Sequence, residues 1–495
     1  MGERGRRQSL LGAAVSVLAL GGCGGVALED EAGPTASVAP AVHASADPWV
    51  PCSDLAERVR DIRPGMPGSS PGELVRGTNV LVFSADDGVT GREPWFSTGE
   101  RSGTKLAKDL RAGAPGSNPS GFTVLGSTVF FVADDGVVGR ELWKTDGTSA
   151  GTLRVRDIRP GALGSAPENL TVYAGKLYFT ADDGVHGREL WRSDGTTAQT
   201  TRVTGLLPPG TQGSTYTLAV AGTFLYVGYY VHGPSLDRLY LVRTDGTPGG
   251  LVRLDDAPED NSFGAMVAVG SRLFFLQNND EPEWGLHVTD GTVAGTRKLR
   301  EFPAKPHDLV AFGGRLYFAS GPGAYDPPDY QGDELWRSDG TTEGTKLVRD
   351  LRPGAQGSEP RELTVFQNRL FFTADNGVHG RELWRSDGFS TVMASDLEPG
   401  AVGAAPEGLA GHGTRLFFSA NTTGRGREPW MFDEFLLTMT PLVEIAPGPA
   451  SSSPGVFVRS GWDLFFAAND GVTGRELWAL SFRPPEACLA VGLRR

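Results

Sequence analysis

The sequence predicts an all-β fold, a single β-propeller of about nine four-stranded antiparallel blades with the ring closed by an N-terminal strand in the last blade. Three observations carry this prediction. A unit recurs at steps of 45 to 51 residues, every extended segment inside the unit is short, and each end of the chain holds part of one unit.

The unit is clearest around Trp191, with equivalent positions at Trp95, Trp143, Val242, His287, Trp336, Trp384, Trp430 and Trp478. It reads as a first strand, LTVYAG; a second, KLYFTADD; a loop, DGVHG; a third strand, RELWRSD; a turn, GTTAQT; and a fourth strand such as TLRVRDIRPG. Gly, Pro, Asp or Asn bounds each segment, and no helical period runs through any of them. Leu177 and Phe179 face away from Tyr178, and Leu190 away from Trp191, so the middle strands are apolar on both faces and need cover on both. Leu153-Arg154-Val155-Arg156 alternates apolar and basic, as an outer edge strand does when it resists pairing with other chains. Such a sheet repeated in the forties describes a propeller blade; the competing arrangement is a linear β-solenoid, which has shorter coils and polar caps.

Closure is also written at the ends. Arg58 to Gly65 is a fourth strand with no third strand before it, and the last unit stops after Glu476-Leu477-Trp478. The N-terminal strand therefore completes the ninth blade, which brings Cys52 towards Cys488 and predicts a disulfide between them. The chain-entropy argument gives a bridge over so long a loop roughly 6 kcal/mol.

The sequence divides into a lipoprotein signal peptide at 1–22, a flexible tether at 23–50 and the repeat domain at 51–495. Arg4, Arg6 and Arg7 precede a short apolar run, and Leu20-Gly21-Gly22-Cys23 resembles a lipobox, which implies lipidation of Cys23. Arg6-Arg7-Gln8-Ser9 also bears a faint likeness to a twin-arginine signal. No later run is long and apolar enough for a transmembrane helix, so the membrane is reached through the lipid, and an outer-membrane location facing the periplasm or the surface is expected. The formal charge is -13, and removal of residues 1–22 takes away three Arg and one Glu. An acidic chain argues against nucleic acid as a partner.

Glu141 to Thr148, Glu189 to Thr196 and Glu334 to Thr341 resemble the ELWxxDGT repeat family of bacterial envelope and secreted proteins, sometimes labelled hyalin-like. The resemblance covers nearly the whole repeat region and implies an envelope repeat protein with no established activity. Units four to six depart from the pattern, with Val242 and His287 in place of Trp.

Two sets of acids invite a function. Asp146, Asp194, Asp245, Asp290 and Asp339 open Asp-Gly turns, where a carboxylate accepts backbone hydrogen bonds and glycine supplies a positive φ. The pairs Asp86-Asp87, Asp134-Asp135 and Asp182-Asp183, with Asp375 and Asp470 in the equivalent loops, fit either turn and ion-pair structure or calcium, with Arg188 available to neutralise an Asp of its own loop. Calcium is accordingly the only cofactor considered. These loops and the Arg159-Pro160-Gly161 connections share one rim of the ring, opposite the Asp-Gly turns.

On that rim, units four to six carry Tyr229, Tyr230, Trp284, Tyr325 and Tyr330 among Asp280, Glu283 and Asp326. Exposed aromatics beside acids stack on sugars or grip basic protein segments, and tolerant loops also drift. The seven histidines are scattered, and no serine elbow, zinc spacing or phosphate loop occurs. The expected function is a non-enzymatic envelope module binding or scaffolding protein or polysaccharide; the alternative is a sialidase-like glycoside hydrolase with a site in blades four to six.

Overall fold

Nine blades, each of four antiparallel strands, form a nine-bladed propeller in a computed structural model, with blades three and four joined into one sheet by a parallel pairing of Gly187 and Arg188 with Gly213 and Ser214. The description covers residues 50–51, 56–78, 80–203, 212–232, 238–247, 250–257, 262–278, 283–321, 332–354 and 356–483. Blade one comprises Gly72–Arg76, Leu81–Asp86, Arg92–Ser97 and Lys105–Leu106. Blade two runs from Ser120–Leu125 to Leu153–Arg156, blade six from His307–Phe312 to Lys346–Arg349, and blade eight from Glu407–His412 to Thr438–Pro441. Strands follow in chain order from the innermost outward. First strands of neighbouring blades contact one another and so surround the axis. No helix among the described residues is long and apolar enough to cross a membrane.

The ninth blade closes as the two chain ends require. Glu57–Arg60 lies antiparallel to Arg475–Arg483, with Arg58 opposite Trp478 and Arg60 opposite Leu477. Val50 and Pro51 extend the same edge opposite Arg483 and Phe482. A ring joined in this way excludes the solenoid. Cys23, Cys52 and Cys488 lie outside the described residues.

Burial follows the two-faced apolar pattern of the middle strands. Between blades two and three, Phe130 and Leu142 pack with Leu177, Phe179 and Trp191. A fully buried side chain such as Phe179 is worth about 1.5–3 kcal/mol against exposure. Where Trp gives way to His287, the imidazole is buried against Phe275 with ring centroids 5.0 Å apart, so a flat ring is kept.

A buried carboxylate joins blade to blade. Glu141, fully buried ahead of Leu142-Trp143, accepts hydrogen bonds from the amides of Ile158 (3.2 Å), Arg159 (3.1 Å) and Ser165 (2.9 Å) and from the Ser165 hydroxyl (2.6 Å). Glu93, Glu334 and Glu428 clasp the loops that follow them in the same way. Glu382 keeps the amide donors, but Ala404 stands where the others have serine. At the seam Glu476 holds Ile62, Arg63 and Ser69, more than four hundred residues away in sequence. Burial raises these carboxyls above the usual range while the donors pull them back.

The recurring Gly-Ser-x-Pro is the other half of the clasp. A Cβ on Gly164 would stand 2.4 Å from the Arg140 amide nitrogen, so only glycine permits the approach. The serine donates to the glutamate. The next residue takes a left-handed conformation, with φ between 44° and 47° at Ser70, Asn118, Ala166, Glu359, Ala405 and Ser453, and its amide donates to the neighbouring strand, as Ala166 does to the Arg140 carbonyl at 2.9 Å.

Replacing Glu476 by Ala strands three buried amides and a hydroxyl, each costing about 1–3 kcal/mol when unpaired. The expected result is a lower Tm together with faster hydrogen exchange of amides 57–60. The same change at Glu141 is expected to lower Tm while leaving 57–60 protected.

Candidate functional site

The paired acids of the rim are satisfied by protein groups. Asp182 Oδ2 accepts from Arg159 Nη1 at 2.6 Å and its Oδ1 from the Gly184 amide at 2.7 Å. Asp183 Oδ1 accepts from the amides of Val185 and His186, and Oδ2 meets His186 Nδ1 at 2.8 Å. Asp86 pairs with Arg63, Asp134 with Arg111 and Asp375 with Arg352, at 2.5 to 2.8 Å. Asp87 accepts from Val89 and Thr90, Asp135 from Val137, Val138 and Arg154, and Asp470 from Val472 and Thr473. At Asp86, Asp134, Asp182 and Asp375 the neutralising arginine comes from the preceding inter-blade connection and not, as expected, from within the loop, while Asp135 and Asp470 meet Arg154 and Arg58 of their own blade's outer strand. Arg188 instead donates to the Ala166 carbonyl at 2.9 Å. Among the described residues no three His, Cys, Asp or Glu gather as a metal site.

The opposite rim is built from Asx turns. Asp194 Oδ1 accepts from the Thr196 amide (2.8 Å) and hydroxyl (2.7 Å), and Gly195 has a φ of +92°. These bonds hold the Asp194 carboxyl below its ordinary value. Lys144 of the preceding blade donates to the Gly195 carbonyl at 2.8 Å, which ties neighbouring blades at this face too.

Among the described residues, the aromatics of the patch expected in units four to six are buried or half-buried. Tyr229 lies within strand Phe224–His232, 5% exposed, tilted against Tyr240 with ring centroids 5.3 Å apart. Burial pushes its phenol up to about 12. Tyr230, next in that strand, is half-buried. Trp284 opens strand Trp284–Thr289, half-buried after Glu283, with Lys305 Nζ 4.5 Å from its ring centroid. Asp280, Tyr325, Asp326 and Tyr330 lie outside the described residues. The period-two alternation of an extended strand turns Tyr229 inward.

At blade six the repeat's charge pattern is inverted. In blades three and eight an acid on the first strand meets an arginine on the third: Glu168 with Arg188 and Glu407 with Arg427, each at 3.4 Å. Asp333 occupies the arginine position of blade six, as its parallel bridge to Gly357 shows beside that of Arg140 to Gly164. Its partner on the first strand is His307, whose Nε2 lies 3.0 Å from Asp333 Oδ2 and whose Nδ1 lies 2.8 Å from Asp308 Oδ2. Arg361, the matching residue of blade seven, is exposed and places Nη1 3.2 and 3.3 Å from the two ring nitrogens. Bonds to Asp308 and then Asp333 raise the imidazole to about 9. At neutral pH His307 is therefore a cation with both nitrogens engaged, and does not accept a proton from a nucleophile. The first strands begin at the rim of the acid loops and surround the axis, so the axial mouth carries the Glu168–Arg188 and Glu407–Arg427 pairs and, at blades six and seven, the group of His307, Asp308, Asp333 and Arg361. Sequence reasoning missed this group. Its visible signal is DELW at Asp333 where the repeat has RELW.

No protein-family model and no curated protein matches the chain. Solved structures do. A puromycin hydrolase matches at 14% identity and a TM-score of 0.38 over 72% of this chain and 58% of its own. Oligopeptidase B from Leishmania major matches at 11% and 0.39 over 74% and 53%, and dipeptidyl peptidase 4 from Porphyromonas gingivalis at 8% and 0.49 over 84% and 65%. The chain thus spans less than two thirds of the length of each. At such identities and TM-scores the likeness extends to the fold alone. The expected non-enzymatic scaffold, and with it the sialidase-like alternative, is corrected here at the site itself: Tyr229, part of the exposed patch on which both readings relied, is core.

Two outcomes test the site. A His307 raised to about 9 makes its contribution to stability complete below the unfolded value near 6.5 and lost as pH rises through 9. Denaturant midpoints are expected to fall across that window in the wild type and to stay flatter in His307→Gln. Because arginine and backbone amides already satisfy the paired acids, Tm is expected to be the same with calcium and with chelator.

Proposed function

We propose that the chain is a peptidase-type propeller whose axial mouth selects oligopeptides by their charged ends. The observation that carries this reading is exposed Arg361 beside His307 on the first strands at the axial mouth, with the exposed Glu168 and Glu407 on those of blades three and eight. Arginine is suited to bidentate capture of a terminal carboxylate, and exposed Arg361 beside protonated His307 offers that capture. Glu168 and Glu407, with about 60% of each side chain exposed, offer the complementary hold on an ammonium group. A zwitterionic peptide matches this layout; a polyanion does not. In this reading the paired acids are turn anchors and calcium is not drawn on.

We also read the chain as a member of the ELWxxDGT repeat family, anchored in the outer membrane by lipid on Cys23, with Cys52 bonded to Cys488. Supporting the disulfide is the register of the chain ends: Pro51, next to Cys52, lies opposite Phe482.

The test is fluorescence anisotropy on the full chain with labelled oligopeptides bearing free or amidated C-termini, with product analysis by mass spectrometry. Expected are a loss of at least tenfold in affinity on amidation and the same loss in Arg361→Glu. The double variant His307→Glu with Asp333→Arg restores the repeat's ordinary pair, so it is expected to fold and to bind as weakly. Equal binding of free and amidated peptides by the wild type overturns the reading.

A further inference from the structure

In blades three, seven and eight the arginine that opens the third strand meets an acid of its own blade. Arg188 pairs with Glu168 and Arg427 with Glu407, each at 3.4 Å, and Arg381 pairs with Glu359 at 3.2 Å. The acid comes from the first residue of the innermost strand, as at Glu168 and Glu407, or from the left-handed residue two places before it, as at Glu359. Blades nine, one and two carry the same arginine as Arg475, Arg92 and Arg140, opposite Asn469, Asp86 and Asp134. Their two acid positions hold Ser453 and Gly455, Ser70 and Gly72, and Asn118 and Ser120. Among the described residues no carboxylate pairs with any of these three arginines.

The three guanidiniums are held in place all the same. Arg92 donates from Nη2 to the Ser70 carbonyl at 2.9 Å and from Nη1 to the Ser84 hydroxyl at 3.0 Å. Arg140 donates from Nη1 to the Asn118 carbonyl at 3.0 Å and from Nη2 to the Ser120 hydroxyl at 2.6 Å, and Arg475 Nη1 donates to the Ser453 carbonyl. Arg188 and Arg427 make the equivalent bond to the carbonyls of Ala166 and Ala405, at 2.9 and 2.8 Å. The pose that meets glutamate in blades three and eight is therefore kept where the glutamate is missing. These bonds leave part of each guanidinium's donor fork for a further acceptor. A Cβ on Gly72 would stand 3.8 Å from Arg92 Nη1 and one on Gly455 2.8 Å from Arg475 Nη2, so the place of the missing side chain adjoins the arginine.

Blades nine, one and two are neighbours, since the first strand of blade one contacts the first strands of both others. Each arginine bonds the residue just before an innermost strand, which puts its guanidinium at the axial mouth. The three cations thus form an arc there, with blade eight between it and Arg361. The acids closest to the arc are engaged elsewhere. Asp86 and Asp134 pair with Arg63 and Arg111. Glu73 Oε2 accepts from the blade-two amides of Gly121 at 2.6 Å and Phe122 at 3.4 Å.

We propose that Arg475, Arg92 and Arg140 form a carboxylate-binding arc at the axial mouth that takes acidic side chains of a bound peptide, each where blades three and eight carry their own glutamate. The chain itself shows that a carboxylate fits, for Glu168 and Glu407 occupy this place beside the equivalent arginines. The planar donor fork of arginine suits a carboxylate, and pre-placed guanidiniums lose little freedom on binding one. Repetition on successive blades matches a ligand with more than one acid on a single chain. The inference rests on the oligopeptide reading for the kind of ligand and adds to it a preference for acidic residues.

The experiment is fluorescence anisotropy on the full chain with labelled free-ended oligopeptides that differ only in bearing Glu or Gln at two adjacent positions. The Glu peptide is expected to bind at least tenfold more tightly. Gly72→Glu with Ser120→Glu gives blades one and two the acid of blades three and eight. This double variant is expected to keep the wild-type Tm and to erase the preference, while the loss of affinity on C-terminal amidation stays. Arg361→Glu is expected to do the reverse, so the two sites are read apart. Arg92→Gln, which adds no acid, is expected to reduce the preference at least threefold, and it decides alone if the double variant falls in Tm. Equal affinities for the two peptides, binding of neither, or a preference that survives these variants overturns the proposal. A preference abolished by Arg361→Glu alone does so too, since the acids then bind at blades six and seven. Binding that favours Glu yet ignores amidation overturns the terminal-carboxylate reading and leaves the arc standing.

Discussion

A buried glutamate in each regular blade is the constraint on which the ring depends. A carboxylate taken out of water costs several kcal/mol unless donors replace its hydration. Glu141 offsets part of that cost with three backbone amides and one hydroxyl, all on the connection that leads to the next blade. The need to present those donors dictates the connection: a glycine for close approach, a serine for its hydroxyl and a left-handed residue to turn the chain back. Blade packing alone leaves adjacent sheets free to slide. The clasp fixes their register, and the same fixing occurs at the seam through Glu476, so the closure is chemically equivalent to any other joint.

Much of this was legible because the repeat exposes periodicity directly. Alternation at Leu177, Tyr178 and Phe179 gave the two-faced middle strands, the unmatched strand at Arg58 gave the closure, and the recurrent Asp-Gly gave the turns. The role of the glutamate was not legible, since its donors lie 17 to 24 residues further along and backbone amides leave no mark in a sequence. The arginine partners of the acid loops escaped for a similar reason. Arg159 meets Asp182 across a blade boundary, 23 residues away, whereas Arg188 is closer in sequence and points elsewhere. Tyr229 was misplaced because an irregular segment was taken for loop where the strand in fact continues to His232.

Irregularity in a repeat protein carries information that the regular units do not. The exchange of Arg for Asp at position 333 is one letter in an otherwise intact motif, yet with His307 it swaps the strands on which the acid and the base of the pair stand. The acid loops around it contribute little charge because arginine neutralises them in place.

The antiparallel seam has a mechanical side. Val50 sits at the end of the sheet where the leading segment departs, and the pairings of Val50–Pro51 and Glu57–Arg60 run along the length of Arg475–Arg483. Tension applied through the N-terminal segment is directed along these strands, so the hydrogen bonds of the seam are loaded together in shear and do not open one at a time like a zip. The seam is strongest along its own strands.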